Sequence, residues 1–598
     1  MLKNIDKNRI YRIVPYLVIV LLALIVYSNS FSVPYTLDDF SSIQDNYAIR
    51  NPLDFISIWK FYSNRFILYY TISLNYYIHG DIVEGYHIVN LLIHIINGIL
   101  VYRILMNLLS LKSMTPRISK RYHRWIALMA AAIFIAHPVQ VNAVTYIIQR
   151  TASLAAMFYM LALLFYIKFR KQGKLVYYFL TLIATIFAMF TKENTITIPF
   201  MLLLIEIMFF IKDKKIRWYK RILMFIPIMA TIPIIPGTNL FLKGYSQSDP
   251  DVTFKASTSM DRFHYFYTQL NVVLHYIRQI IIPDNLNFDY SNDYPISESI
   301  WDNHSYISLA IHCLIGLVAL LNLRRNKLIS FGILWFYIGL SVESSFISIK
   351  DVYFEHRLYF PLAGFIMFIT GLVFYRRNKG LGRTYIIKPM LLFTLLAVTM
   401  TIMYSAVTLH RNYIFSDPIR LWSDVVKKAP NSDRAHSVLA TEYLNYYELR
   451  GGSKEYLDKA EAEFKKAIEI DYFNDTAHCN LAKVYLLKGD NENCIIEAKN
   501  ANNISPSVYG YNNLGLAYKN LGDYYSAINA FREGYALDNR CSFIIENLAD
   551  TFMDYGNYSQ AKKYYEEYLK LYDNSSVEEK LKEVQERINS GEYIEEDY

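Results

Sequence analysis

From about residue 13 to about residue 408 the chain is a succession of apolar runs of about 17–22 residues, the length that spans a bilayer as helix. Short loops rich in Lys and Arg separate every second pair of runs. Few folds tolerate such a pattern. Lipid offers no partner to a free N–H or C=O, so each run must satisfy its own backbone as a helix. Composition agrees, since 53% of the 598 residues are hydrophobic and 16% aromatic. From about residue 415 onward the chain is polar, charged and helical in pattern. The expectation is an all-α protein of two parts, a polytopic membrane domain followed by a soluble helical one. The formal charge of +8 resides largely in the short loops and gives no reason to expect nucleic acid as a partner. Cys313, Cys479, Cys494 and Cys541 lack metal-ligand spacing and read as core residues.

The basic loops set the topology. Lys3, Lys7, Arg9 and Arg12 place the N-terminus in the cytoplasm, and the first span covers about Ile13 to Phe31. Ser28-Asn29-Ser30 also fits a signal-peptide cleavage site, which leaves the following loop outside as well. That loop includes an amphipathic stretch, Arg65 to Tyr70, expected to lie along the interface. Inside loops carry Lys112 to Arg124, Lys168 to Lys174, Lys212 to Arg221, Arg324 to Lys327 and Arg376 to Lys379. To keep this alternation, 265–283 must be re-entrant or interfacial. About eleven crossings result, and the soluble domain is extracytoplasmic.

Pro34-Tyr35-Thr36-Leu37-Asp38-Asp39-Phe40 follows the first span. Adjacent carboxylates at a membrane surface repel each other and need a donor, a proton or a cation. Taken alone the pair reads equally as a solvated turn or helix cap. The topology, drawn from other charges, puts further polar groups on the same side: Arg65, His87, His137, Arg150, Lys192, Glu193, Glu355, His356 and Arg357. His94, deeper in the second span, reads as a satisfied bundle histidine, Lys192-Glu193 as an ion pair, and Arg150 and Arg357 as snorkelling anchors. Together they describe a cavity with carboxylates on one wall and cations on the other. Such a cavity suits a phosphate-linked lipid donor, with cations on the phosphate and a carboxylate on the acceptor.

The ordered set of Asn64-Arg65, Tyr86-His87 to His94, His137-Pro138 with Gln149-Arg150, Thr191-Lys192-Glu193-Asn194, Glu355-His356-Arg357 and Arg420-Leu421-Trp422 resembles the transmembrane and tetratricopeptide-repeat O-mannosyltransferases and their bacterial relatives, in the GT-C glycosyltransferase superfamily. The likeness covers nearly the whole chain. It departs at Phe66, where the family usually has Pro, and at Val342-Glu343-Ser344, where Pro-Thr-Ser is common. The resemblance implies inverting transfer from a polyprenyl-phosphate-linked sugar in the membrane lipid, with Asp38 and Asp39 at the family's acidic pair. Arg65, His87, Arg150, Lys192, His356 and Arg357 are the donor-phosphate candidates, with His94, His137, Glu193 and Glu355 in support. The resemblance favours a metal-free base. The alternative is a divalent cation, Mg or Mn, on Asp38 and Asp39.

The soluble part repeats. Tyr511-x-x-Leu514-Gly515-x-x-Tyr518, then Gly522, Ala527 and Phe531, fits the thirty-four-residue tetratricopeptide pattern. Copies lie one period on, at Ala549 to Tyr565, one back, at Ala482 to Ala498, and earlier still, at Ala440 to Ala467. The domains are therefore 1–412, a GT-C-like membrane glycosyltransferase, a connector 413–432, a tetratricopeptide α-solenoid 433–590 of about four repeats, and an acidic tail 591–598. The grooves of stacked repeats bind polypeptide, so a protein acceptor modified on Ser or Thr is expected. The reading from a different class is a non-catalytic, membrane-anchored scaffold for envelope assembly.

Overall fold

The computed structural model describes residues 7–114, 118–213, 216–241, 260–290, 293–349, 351–374 and 384–591. The tail from 592 lies outside them, as do the inside-loop residues Lys214, Lys215, Arg376, Arg377 and Lys379. Every regular element among the described residues is helical. The chain divides into two compact units, Met1–Tyr290 with Tyr294–Leu421, and Ser291–Asp293 with Trp422–Tyr598.

The first unit runs α1 (Lys7–Val26), α2 (Phe55–Phe61), α3 (Phe66–His79), α4 (Val83–Leu109), α5 (Lys120–Ala136), α6 (Val141–Val144), α7 (Arg150–Gln172), α8 (Leu175–Met189) and α9 (Ile198–Ile205). It continues with α10 (Trp218–Met229), α11 (Ile234–Phe241), α12 (Arg262–Ile281), α13 (Ser305–Asn322), α14 (Lys327–Leu340), α15 (Pro361–Val373) and α16 (Thr384–Phe415). Among the described residues six helical segments are long and apolar enough to cross a membrane, or seven if the bent pair at His137-Pro138 is one span. Four shorter apolar helices accompany them: Arg12–Val26, α8, α14 and α15. Large apolar side chains face outward on α1 (Leu17, Leu21), α10 (Ile222, Leu223), α13 (Leu314, Leu320) and α16 (Leu392, Ile402). Helices apolar on both the packed and the unpacked face are built for lipid as solvent.

Glycine sets the closest packing. A Cβ on Gly332 of α14 would fall 2.6 Å from the Gly364 carbonyl oxygen of α15, and one on Gly371 would fall 2.8 Å from the Ile329 nitrogen. The two backbones therefore touch, as small-residue seams in membranes allow. α12 packs against the bundle, adding Val272, Val273, Tyr276 and Ile280 to its core. Its Tyr265 hydroxyl donates to the Glu343 carbonyl (2.7 Å), Gln269 to Val352 (2.7 Å) and the Tyr276 hydroxyl to Phe354 (2.9 Å), so it runs beside the loop after α14. The Arg65–Tyr70 stretch, expected at the interface, begins α3, which buries Leu68, Tyr69, Ile72 and Asn75 inside the protein.

The second unit begins within α17 (Pro418–Lys428). Antiparallel pairs follow: α18 (Asp433–Arg450) with α19 (Lys454–Ile470), α20 (Asp475–Lys488) with α21 (Asn491–Ile504), α22 (Val508–Asn520) with α23 (Tyr524–Leu537), and α24 (Ser542–Tyr555) with α25 (Tyr558–Leu571). α26 (Ser575–Asn589) closes the stack. Gly515 lets Phe531 in, because a Cβ there would sit 2.6 Å from that ring. Asn474, Asp490, Ser507, Asp523 and Asn557 each accept from the backbone N–H three residues on, a recurring cap that fixes where each helix starts.

Candidate functional site

The acidic pair is split by the backbone. Leu37 adopts φ +44°, the left-handed region that a side chain with Cβ enters at a cost of about 1–3 kcal/mol. That turn sends the two carboxylates opposite ways. Asp39 is 1% exposed and accepts from the backbone N–H of Ile148 (2.8 Å) and of Thr36 (3.1 Å). Asp38 is exposed, and its N–H donates to the Tyr146 hydroxyl (3.1 Å). Burial pushes the Asp39 carboxyl up to about 8. The N–H groups of Ile148 and Thr36 pull it down, and the Asp38 charge adds to the rise. Both Asp39 oxygens accept backbone N–H groups. Among the described residues no cluster of three His, Cys, Asp or Glu side chains could hold a metal ion.

The first turn of α7 links this loop to a cation-lined recess. Ile148, just before α7, holds Asp39, and the Thr151 hydroxyl donates to the Thr191 carbonyl (3.1 Å), next to Lys192. The recess is lined by Lys192, Asn194, His356 and Arg357, with Tyr159 and Phe360 as aromatic walls. Its cations are not bare. Lys192 Nζ lies 2.6 Å from Glu343, which also accepts from Asn194 (3.1 Å), and Arg65 makes a two-pronged contact with Glu193 at 3.2 and 3.3 Å. Burial raises the Glu343 carboxyl, but Lys192 and Arg357 outweigh it and hold it below its ordinary range. Arg357 donates to the carbonyls of Asp351 (2.7 Å) and Val352 (3.0 Å), which fixes its guanidinium at the rim. His356 stacks on Phe354 (5.1 Å), and burial together with Lys192, Arg357 and Arg65 drives its imidazole well below its ordinary value.

Other candidates face elsewhere. Arg150 is fully buried and donates to Asn90 Oδ1 (2.6 Å), Asn75 Oδ1 (2.7 Å) and the carbonyls of Tyr86 (3.2 Å) and Thr71 (3.3 Å). It clamps α3 and α4 to α7 rather than lining the recess. His87 Nε2 donates to the Val33 carbonyl (2.8 Å) and tethers the first loop to α4. His94 donates to Ile135 (3.2 Å) and accepts from the Tyr359 hydroxyl (2.7 Å) as a bundle histidine. His137 donates to the Ile280 carbonyl (2.9 Å) and caps Val139 (3.2 Å). Glu355 pairs with Arg411 of α16 at 2.6 Å and accepts from the Asn287 N–H at 2.7 Å.

So the expected segregation of anions from cations is absent: Glu343 lies against Lys192 and also feels the Arg357 charge, and Arg65 is paired with Glu193. Tyr146, Asn194, Glu343 and Arg411 were not among the expected site residues. Glu343 stood out only as a departure from the family pattern, and it is the partner of Lys192. Arg411 could have been found as an arginine inside an apolar run. A separate apolar groove between α5, α12, α15 and α16, with a cavity volume of about 700 Å³, shares no lining residue with the recess.

The chain matches the tetratricopeptide repeat family at residues 508–541 and 544–575. It is 22% identical over 453 residues to protein O-mannosyl-transferase F38B6.6 of Caenorhabditis elegans, covering 72% of this chain and 60% of that protein. It is 23% identical over 409 residues to protein O-mannosyl-transferase TMTC4 of Homo sapiens, covering 59% of this chain and 54% of that protein. The chain thus spans about half to three fifths of these relatives. A solved tetratricopeptide protein of Thermus thermophilus, TTC0263, is 18% identical, with a TM-score of 0.24, over 29% of this chain and 91% of its own.

Proposed function

We propose that the protein is a membrane glycosyltransferase that moves a sugar from a polyprenyl-phosphate donor to a Ser or Thr hydroxyl of an extracytoplasmic polypeptide. One observation carries this reading. The segment entering α7 holds Asp39, the neighbour of the exposed Asp38, through the Ile148 N–H, and Thr151 in the first turn of α7 donates to the Thr191 carbonyl beside a recess bearing Lys192, Asn194, His356 and Arg357. Similarity to proteins named protein O-mannosyl-transferases supports the protein acceptor.

The acceptor oxygen attacks the anomeric carbon from the face opposite the phosphate, and configuration inverts. Its proton passes to Asp38 as the new C–O bond forms. The bond from that carbon to the phosphate oxygen breaks, and polyprenyl phosphate leaves with the electron pair. A hydroxyl is far less acidic than a carboxylic acid, so proton transfer is concerted with attack. Lys192, Asn194, His356 and Arg357 meet the charge that grows on the leaving phosphate, and Arg65 reinforces them through Glu193. Glu343 holds Lys192 in place until the phosphate competes for it. Asp39, His87 and Arg150 fix the loop and bundle. The repeats hold the acceptor and raise its local concentration.

The test compares glycopeptides from cells with and without the protein. A Ser- or Thr-linked sugar on secreted or membrane proteins should vanish in its absence. An unchanged glycoproteome accompanied by a lost lipid- or polysaccharide-linked sugar would reassign the acceptor.

A further inference from the structure

We infer that Tyr146 is a positioning residue of this reaction, its hydroxyl fixing the direction in which Asp38 presents its carboxylate to the acceptor. The inference rests on the reading of Asp38 as the base.

Asp38 is exposed on a turn, and an exposed aspartate samples several rotamers, each a fraction of the time out of line for proton transfer. One group restrains it from both ends. The Tyr146 oxygen accepts from the Asp38 N–H at 3.1 Å, and its hydroxyl hydrogen-bonds the Asp38 side chain. A phenol is suited to this, because one atom accepts and donates at once.

The tyrosine is itself rigidly placed. Its ring meets Phe288 edge-on at 5.1 Å, and Phe288 meets Phe415 edge-on at 5.3 Å. Its chain neighbours are held on both sides. Asn90 Nδ2 donates to the carbonyls of Val144 and Ile147 (3.2 Å each). The Thr145 hydroxyl donates to Asn412 Oδ1 (2.8 Å), and the Ile148 N–H to Asp39 (2.8 Å). The strap 144–148 thus fastens one aspartate by its backbone and aims the other by its side chain. Residues on α4 and α16, far away in sequence, keep the strap in place.

The experiment is steady-state kinetics on the full-length protein with Tyr146→Phe, which keeps the ring and removes only the oxygen. kcat should fall roughly tenfold to hundredfold, the range for a slightly misplaced catalytic group, with both KM values within about twofold. The same substitution made on Asp38→Asn should cost nothing further, because the hydroxyl acts through that carboxylate. Phe415→Leu, which leaves the hydroxyl but loosens the rings behind it, should give a smaller kcat loss that also disappears on Asp38→Asn. It keeps the test available if Tyr146→Phe does not fold. Unchanged kcat in both variants, or equal losses with and without Asp38, would overturn the inference while leaving the base intact. Full activity of Asp38→Asn itself would overturn the base assignment and this inference with it.

Discussion

Two neighbouring carboxylates can share a loop when the backbone turns them apart, and the left-handed Leu37 does this for Asp38 and Asp39. The two should therefore respond differently to amide substitution. Asp38→Asn should lose at least about 10²-fold in kcat, the lower end for a general base, while the fold is retained. Asp39→Asn should act first on stability, with a pH signature. An unfolded aspartate titrates near about 3.9, whereas Asp39 in the fold titrates at about 8. The folded state thus binds the extra proton between those values. Its contribution to stability is complete below the lower value and is lost as pH rises through the upper one. Melting temperatures of wild type and Asp39→Asn in detergent, measured from pH 5 to pH 9, should converge or cross as pH rises. A constant offset would contradict this account. Arg150 belongs to the same scale. Arg150→Met strands the oxygens of Asn75 and Asn90 and should cost about 1–3 kcal/mol of stability for each, with the donor KM of the surviving protein unchanged. A raised donor KM with normal stability would return Arg150 to the phosphate. The adjacency of Asp38 and Asp39 is plain in the sequence. The arginine's role is not, because its acceptors lie 60 and 75 residues away.

At the scale of elements, the apolar runs and the solenoid were readable because each is a local pattern, an unbroken apolar run of bilayer length in one case and a thirty-four-residue period in the other. What escaped depends on approach between elements. Gly332 and Gly364 are unremarkable in sequence, yet they bring α14 and α15 into backbone contact and so place Gly339 and His356 around one recess. Gly364→Leu should destabilise by about 1–3 kcal/mol or more through overpacking, and should raise the donor KM because the recess is built on that seam. Thermal unfolding and donor titration of one preparation check both effects. The Arg65–Tyr70 stretch opens a helix with two faces, one buried through Leu68, Tyr69, Ile72 and Asn75 and one exposing Leu74, Tyr77 and Ile78, and the partners of the buried face have no signature in the local pattern. The pairing of Lys192 with Glu343 spans about 150 residues and has no local signature at all.

For the whole molecule, the basic loops predict that reporters fused after Lys171 read cytoplasmic and one after Asp289 external. An internal reading at Asp289 would mean that α12 crosses and that later segments change sides. The repeats should matter to the acceptor and not to the donor. Removing 433–598 should leave donor binding intact and lower transfer to the natural acceptor far more than hydrolysis of the donor by water. The most direct measurement uses purified full-length protein in lipid, a polyprenyl-phosphate-linked sugar and a Ser/Thr-containing acceptor polypeptide, with wild type and Asp38→Asn compared for sugar transferred. The account predicts transfer by wild type and a loss of at least about 10²-fold in the variant, with donor binding retained. Equal transfer by the two proteins would contradict it.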